Sequence, residues 1–166
     1  VPSVLEADFL TVPLGATLTT HNNALTQLPC RYYDAVTLSL VLSYLPTSAK
    51  RVQMLTKVHT LLALPSAQHA GGLLLIAEKV SIFHRGHVKC QFRDAWMRTI
   101  ASMGFQLMCY REHVVGERRM HWMAFRRATV ADCDSNSVDA SGLIVKQEAA
   151  SEYNVGDSGC ATETRP

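Results

Sequence analysis

The stretch "YDAVTLSLVLSYLP", residues 33–46, constrains the fold of this chain more than any other. Asp34 bounds its start and Pro46 its end. Alternation together with β-branched Val36, Thr37 and Val41 predicts a strand rather than a helix. Val36, Leu38, Leu40 and Leu42 fall on one face. Ala35, Thr37, Ser39, Val41 and Ser43 fall on the other, which is mostly small. Neither face carries a charge, which predicts a central strand in a sheet covered on both sides.

The following segments set the topology. Residues 47–62, "TSAKRVQMLTKVHTLL", read as a helix capped by Thr47 or Ser48. Its apolar stripe is Val52, Leu55, His59 and Leu62, widened by Met54, Val58 and Leu61. His59 on that stripe reads as a packing residue. "LALPSAQHAGG" is a punctuated loop, and "GLLLIAEK", 72–79, is a continuous apolar run suited to a covered parallel strand. Residues 80–91 form a loop or the approach to a helix. Residues 92–103 form an amphipathic helix with Phe92, Trp96, Ile100 and Met103 on one stripe, stopped by Gly104. Residues 105–114 and 120–127, joined by "VGERR", read as an antiparallel hairpin. Upstream, residues 3–8 read as a short strand and 10–32 as irregular, with one helical turn in "HNNALTQLP".

Parallel strands need crossover helices, so this order predicts an α/β sheet ending in an antiparallel pair. Ligands of such sheets sit at the carboxyl ends of the parallel strands. Ser43 and Tyr44 would stand at that rim.

Composition sets the outer bounds. The 166 residues are 48% hydrophobic, enough for one domain with a core. No apolar run approaches the roughly 18–20 residues that span a bilayer, and "VPSVLEADFL" is not a signal peptide. Cys30, Cys90, Cys109, Cys133 and Cys160 form no CxxC pair, which suits reduced thiols in the cytosol or nucleus. Residues 1–128 hold 14 Lys and Arg against 7 Asp and Glu. Residues 129–166 hold 2 against 7. The chain thus divides into a basic body, 1–128, and an acidic, Ser-rich tail, 129–166, read as mostly disordered. "HRGH", 84–87, reads as a polar loop rather than a metal site. His113 and His121 flank the hairpin turn in positions to face each other across it.

"ADFLTVPL", "YDAVTLSLVLSYLPTSAKR", "GGLLLIAEK", "DAWMRTIASMGF" and "MHWMAFRR" occur in the order and spacing of the SAMTOR family. These are S-adenosylmethionine (SAM) sensors upstream of the TOR kinase complex. They are related to fungal methyltransferases that modify adenine N1 in large-subunit rRNA. The resemblance covers about residues 1–128. It implies the C-terminal half of a Rossmann-like, class I SAM-dependent methyltransferase fold, closed by its antiparallel hairpin.

The resemblance also implies roles. Asp8 and Phe9 correspond to the pair that approaches the adenine of SAM: a carboxylate accepts from the exocyclic amine and an aromatic covers the ring. Ser39 and its neighbour Leu40 lie in the segment expected to pass the methionine moiety. The glycine-rich loop and the ribose-binding acid of the family lie before the equivalent of Val1, and no GxGxG run occurs here. The chain therefore reads as N-terminally truncated, holding part of a SAM site in a sheet without its centre. Where the rRNA-modifying relatives carry Asn, this chain has Ser43, a shorter group with one hydroxyl.

Three functions follow from the resemblance. The first is a SAM-binding sensor that restrains TOR signalling through GATOR and KICSTOR-type complexes, cytoplasmic and lysosome-associated through those partners. The second is a nucleolar SAM-dependent rRNA adenine methyltransferase. In that reading a basic face of Arg85, Lys89, Arg93, Arg98, Arg111, Arg118, Arg119, Arg126 and Arg127 meets phosphates, with Trp96, Tyr110 and Trp122 as aromatics. The third is a truncated fragment without a ligand.

Overall fold

The computed structural model of the chain describes residue 5 and residues 7–22, 24–79, 87–115 and 118–128. The readings made for residues 1–4, for the 80–86 connection with His84 of "HRGH", and for the tail 129–166 lie outside them.

The first part of the chain is more ordered than its composition predicts. Strands β1 (Leu14–Gly15), β2 (Thr19–His21) and β3 (Ala24–Pro29) form a small sheet in the order β1-β3-β2. β1 pairs parallel and β2 antiparallel with β3. The segment read as a helical turn is thus a strand and its hairpin turn. Asn22 stands in the left-handed region at φ 48, where Asn is among the few residues that fit without a large penalty. That conformation ends a helix and suits a hairpin. Residues 7 and 8, expected at the end of a strand, belong to no regular element.

The main sheet follows. β4 (Ala35–Ser39) leads through a 3₁₀ turn, Leu42–Tyr44, into α1 (Ser48–Leu61). α1 begins as its sequence predicts: Thr47 is extended, and its side chain accepts from the Lys50 N–H at 3.3 Å. β5 (Leu73–Lys79) returns parallel to β4, from Ala35↔Leu73 to Ser39↔Ala77. α2 (His87–Ser102) starts five residues before the expected position, and Gly104, at φ 87, stops the helix as predicted. β6 (Phe105–Val115) and β7 (Arg118–Arg127) form the hairpin, both longer than the sequence reading, with a bulge between Leu107 and Cys109. β7 pairs antiparallel with β5, giving the order β4-β5-β7-β6.

Both helices cover the same face. Leu38, Leu74, Ile76, Met123 and Phe125 of the sheet meet Met54, Leu55 and Val58 of α1 and Trp96 and Ile100 of α2 in one core. Each such side chain contributes about 1.5–3 kcal/mol by leaving water. A smaller cluster, Val12, Leu28 and Leu61, joins the N-terminal sheet to the end of α1.

The sequence predicts a longer, doubly covered central strand within 33–46; the structure differs in three respects. β4 ends at Ser39, because Leu40 adopts φ 57 and a left-handed residue cannot continue a strand. Among the described residues β4 pairs only with β5, so it stands at the sheet edge. Its small face is open: Ala35, Thr37 and Ser39 are exposed. Thr37, Leu75, Ala77, Cys109, Trp122 and Ala124 line a shallow apolar groove on that side.

Candidate functional site

The carboxyl ends of the two parallel strands converge on one turn. Ser39 is the last residue of β4 and its side chain faces out from the small face. The N–H of Leu40 still donates to the Ala77 carbonyl at 2.8 Å. The left-handed backbone at Leu40 then swings the chain across the end of β5. A β-carbon in that region meets the following carbonyl, at about 1–2 kcal/mol, so surrounding contacts must hold it there.

Two buried charges supply those contacts. Glu78 of β5 is fully buried. Its Oε1 accepts from the N–H of Leu42 at 2.8 Å and of Ser43 at 3.2 Å, the free donors at the start of the 3₁₀ turn. Arg51 of α1, also fully buried, donates from Nε to the Leu42 carbonyl at 2.9 Å and from Nη2 to the Leu45 carbonyl. The turn is thus gripped by a carboxyl oxygen on its amides and a guanidinium on its carbonyls. Leu42 seals the core beneath it at 0% exposure, while Tyr44 projects into solvent at 74%. Lys79 Nζ lies 5.9 Å from the centroid of the Tyr44 ring.

Burial pushes the Glu78 carboxyl above the usual carboxylate range, opposed by hydrogen bonds from the Ser43 hydroxyl and the Ser43 and Leu42 amides. Its Oε2 is buried with no hydrogen-bond partner among the described residues. Beside it in register stands His121 of β7, itself opposite Glu112 of β6. His121 is fully buried, stacked on Tyr110, and shares a 2.7 Å hydrogen bond between Nδ1 and the Tyr110 hydroxyl. The Arg93 guanidinium lies 5.4 Å over the Tyr110 ring and is paired with Asp94 at 3.0 Å.

Asp8 and Phe9 stand apart from that rim, in the turn that precedes β1. Asp8 Oδ1 accepts from the Leu10 N–H at 2.9 Å, and its carbonyl accepts from Thr11 and Val12, so Asp8 shapes a turn. Lys57 of α1 fastens that turn by donating to the Leu10 and Val12 carbonyls, with its ammonium 5.3 Å from the Phe9 ring centroid. Phe9 lines an open hollow with Val12, Leu28, Tyr33, Ala35 and Val36. That hollow borders the first half of β4; Ser39 and Leu40, at the other end, are not in its lining.

Several sequence-level candidates resolve into structural roles. His113 opposes Met120 and His121 opposes Glu112, adjacent pairs whose side chains leave opposite faces of the sheet, so the two histidines do not meet. The expected basic face is divided. Arg127 is buried and donates to the Leu62 carbonyl, and Arg93 is paired with Asp94, while Arg98, Arg111 and Arg119 are exposed on different elements. Arg85 lies outside the described residues. Trp96 is wholly buried, Tyr110 is bonded to His121, and only Trp122 of the three aromatics is exposed, on the open face. Cys30 and Cys109 are free thiols. Among the described residues no cluster of His, Cys, Asp or Glu is arranged to hold a metal ion, and no helix is long and apolar enough to cross a membrane.

The sequence reading missed Glu78 and Arg51. The signal for Glu78 was the alternation itself: Leu74, Ile76 and Glu78 share a parity, so the carboxylate had to enter the core face. Arg51 gave no comparable signal.

Comparison with known families decides what scaffold this rim belongs to. A family model described as "25S rRNA (adenine(2142)-N(1))-methyltransferase, Bmt2" matches residues 1–136. The chain belongs to this family. With the parallel pair, crossover helix and closing hairpin, membership bears out the Rossmann-like methyltransferase class expected from sequence. Curated relatives carry the name "S-adenosylmethionine sensor upstream of mTORC1". The Danio rerio protein is 32% identical over 140 residues, covering 78% of this chain and 33% of its own length. The Xenopus laevis protein is 29% identical over 141 residues, 78% and 32%. The Xenopus tropicalis protein is 34% identical over 103 residues, 62% and 23%. The chain therefore spans a third or less of the curated relatives it matches. Two solved structures of a 16S rRNA (adenine(1408)-N(1))-methyltransferase mutant from Catenulisporales acidiphilia, one with SAM, align at TM-scores of 0.39 and 0.41. Their identities are 15% and 17%, over 58% and 75% of this chain and 50% and 58% of theirs.

Proposed function

We propose that this chain belongs to a SAM-binding sensor in the mTORC1 pathway. In this reading Asp8 and Phe9 serve the adenine, and Ser39 and Leu40 border the methionine moiety. SAM occupancy controls association with GATOR and KICSTOR-type complexes, in the cytoplasm or at the lysosome through those partners. What carries the proposal is the rim at the end of β4: a small, exposed Ser39 followed by a turn held in a left-handed conformation by Glu78 and Arg51. A small face at the carboxyl edge of parallel strands leaves room for a flat ligand. The names of the relatives supply the ligand and the pathway.

Ser43 favours a sensor over an enzyme. Its hydroxyl is shorter than an Asn amide and donates only one hydrogen bond, which makes it a weaker group for positioning an incoming base. The methyltransferase reading keeps one observation in its favour, the rRNA adenine methyltransferase description of the family; in it the protein would be nucleolar and meet RNA. SAM is a candidate cofactor in both readings, so the test needs two arms. Affinity purification from cells with and without SAM should recover the regulatory partners only when SAM is scarce. Equal recovery under both conditions, together with SAM-dependent methyl incorporation into rRNA, would transfer the assignment to the enzyme.

A further inference from the structure

We infer that Glu78 is the positioning residue of this rim: its carboxylate fixes the Leu40–Tyr44 turn and thereby sets the affinity for SAM beside Ser39. The inference rests on the functional reading above for its ligand, but its geometry stands independently. Glu78 and Ser39 lie at the ends of neighbouring strands, where Ser39 pairs with Ala77, one residue before Glu78. Glu78 Oε1 holds two amides of the turn, those of Leu42 and Ser43. A single buried acid therefore satisfies donors that no α-helix or strand can satisfy. A buried carboxylate is costly unless its hydrogen bonds offset desolvation. An apolar residue would seal this core position more favourably, as Leu74 and Ile76 do on the same face. Removing the acceptor leaves the Leu42 and Ser43 N–H groups buried or half-buried without partners, and the turn must open to water to satisfy them. The left-handed conformation at Leu40 then loses its external support, and the backbone beside Ser39 moves. Glu78 itself is sealed beneath the turn, so it acts through the backbone rather than by touching the ligand.

The test compares Glu78→Leu, which removes the acceptor, with Glu78→Gln, which keeps an amide oxygen for the two N–H groups and removes the charge. Amide hydrogen exchange across residues 40–46 is measured alongside SAM titration of the full natural polypeptide. E78L should raise exchange at Leu42 and Ser43 at least about tenfold and weaken SAM at least about tenfold. E78Q should restore both to within about threefold of wild type. Exchange in the middle of β5 and β7 should not change in either variant. If E78L does not fold, E78D takes its place, since its shorter side chain withdraws the carboxylate from both amides. Unchanged exchange at 40–46 in E78L or E78D overturns the clamp. Loosened exchange with unaltered SAM affinity overturns the link to the ligand. A folded wild-type protein that binds no SAM overturns the functional reading and the affinity half of this inference, while the exchange data still judge the clamp.

Discussion

His59 of α1 stands edge-on against Phe105, the first residue of β6, with ring centroids 5.1 Å apart and planes at 86°. This contact ties the first helix to the far strand of the sheet beneath the core. Its Nε2 is buried and without a hydrogen-bond partner among the described residues. Burial and the nearby Arg127 guanidinium lower its pKa from 6.5 to about 4, against a backbone hydrogen bond at Gly104 that raises it. The unfolded chain therefore binds a proton that the folded chain refuses. Stability from this site is fully present above pH 6.5 and is lost as pH falls toward 4. His59→Leu should flatten that part of the profile, measured as urea midpoints between about pH 7 and pH 4.5. An unchanged acid slope in the variant would remove His59 as its source.

Glu78 has the opposite sign. Its carboxyl is raised above its ordinary 4.5 by burial, so the folded state holds the proton more tightly than the unfolded state. The stabilisation it brings is present below pH 4.5 and is lost as pH rises through the folded value. E78Q carries no such slope. Relative to wild type, E78Q should therefore gain stability as pH is raised from about 4.5 to 7.5 in the same urea measurements.

Phe125 and Trp122 test which face of β7 is structural. Phe125 is fully buried in the core, and Trp122 is 46% exposed over the open groove. Phe125→Ala should cost about 3–5 kcal/mol in chemical unfolding. Trp122→Ser should cost a fraction of that. Equal costs would mean that the open face is packed as tightly as the helix-covered one.

Gly104 tests the helix stop. At φ 87 a β-carbon is strained whatever space surrounds it. Gly104→Ala should lose about 1–2 kcal/mol in thermal or chemical unfolding. An alanine that stabilised the protein would contradict the left-handed stop.

Where local rules and tertiary demands agree, this fold is legible in the sequence. Thr47 caps α1, Gly104 stops α2, and the apolar run at 73–79 is the parallel strand, because each obeys one period or one backbone preference. The segment 33–46, which reads as one long strand, is not legible as it folds. Leu40 has no chemical mark of a left-handed residue; only the distant Glu78 and Arg51 put it there. The N-terminal sheet was hidden for a related reason. Its strands are two to six residues long, too short for alternation to rise above loop composition. His113 and His121 were misjudged because strand parity, rather than nearness to a turn, decides which face a side chain leaves. The site candidates Asp8, Phe9, Ser39 and Leu40 rest on family resemblance; of the two charges that organise the rim, Glu78 is legible in its strand parity and Arg51 only in the packing.

The most direct measurement is calorimetric titration of SAM into the full natural polypeptide and its Ser39→Phe variant, with thermal unfolding of each as the control. The small face beside the Leu40 turn predicts saturable one-site binding in the wild type, abolished in the variant at an unchanged melting temperature. Equal affinity in both, or no heat of binding in a folded wild type, would contradict a nucleoside cofactor at the end of β4.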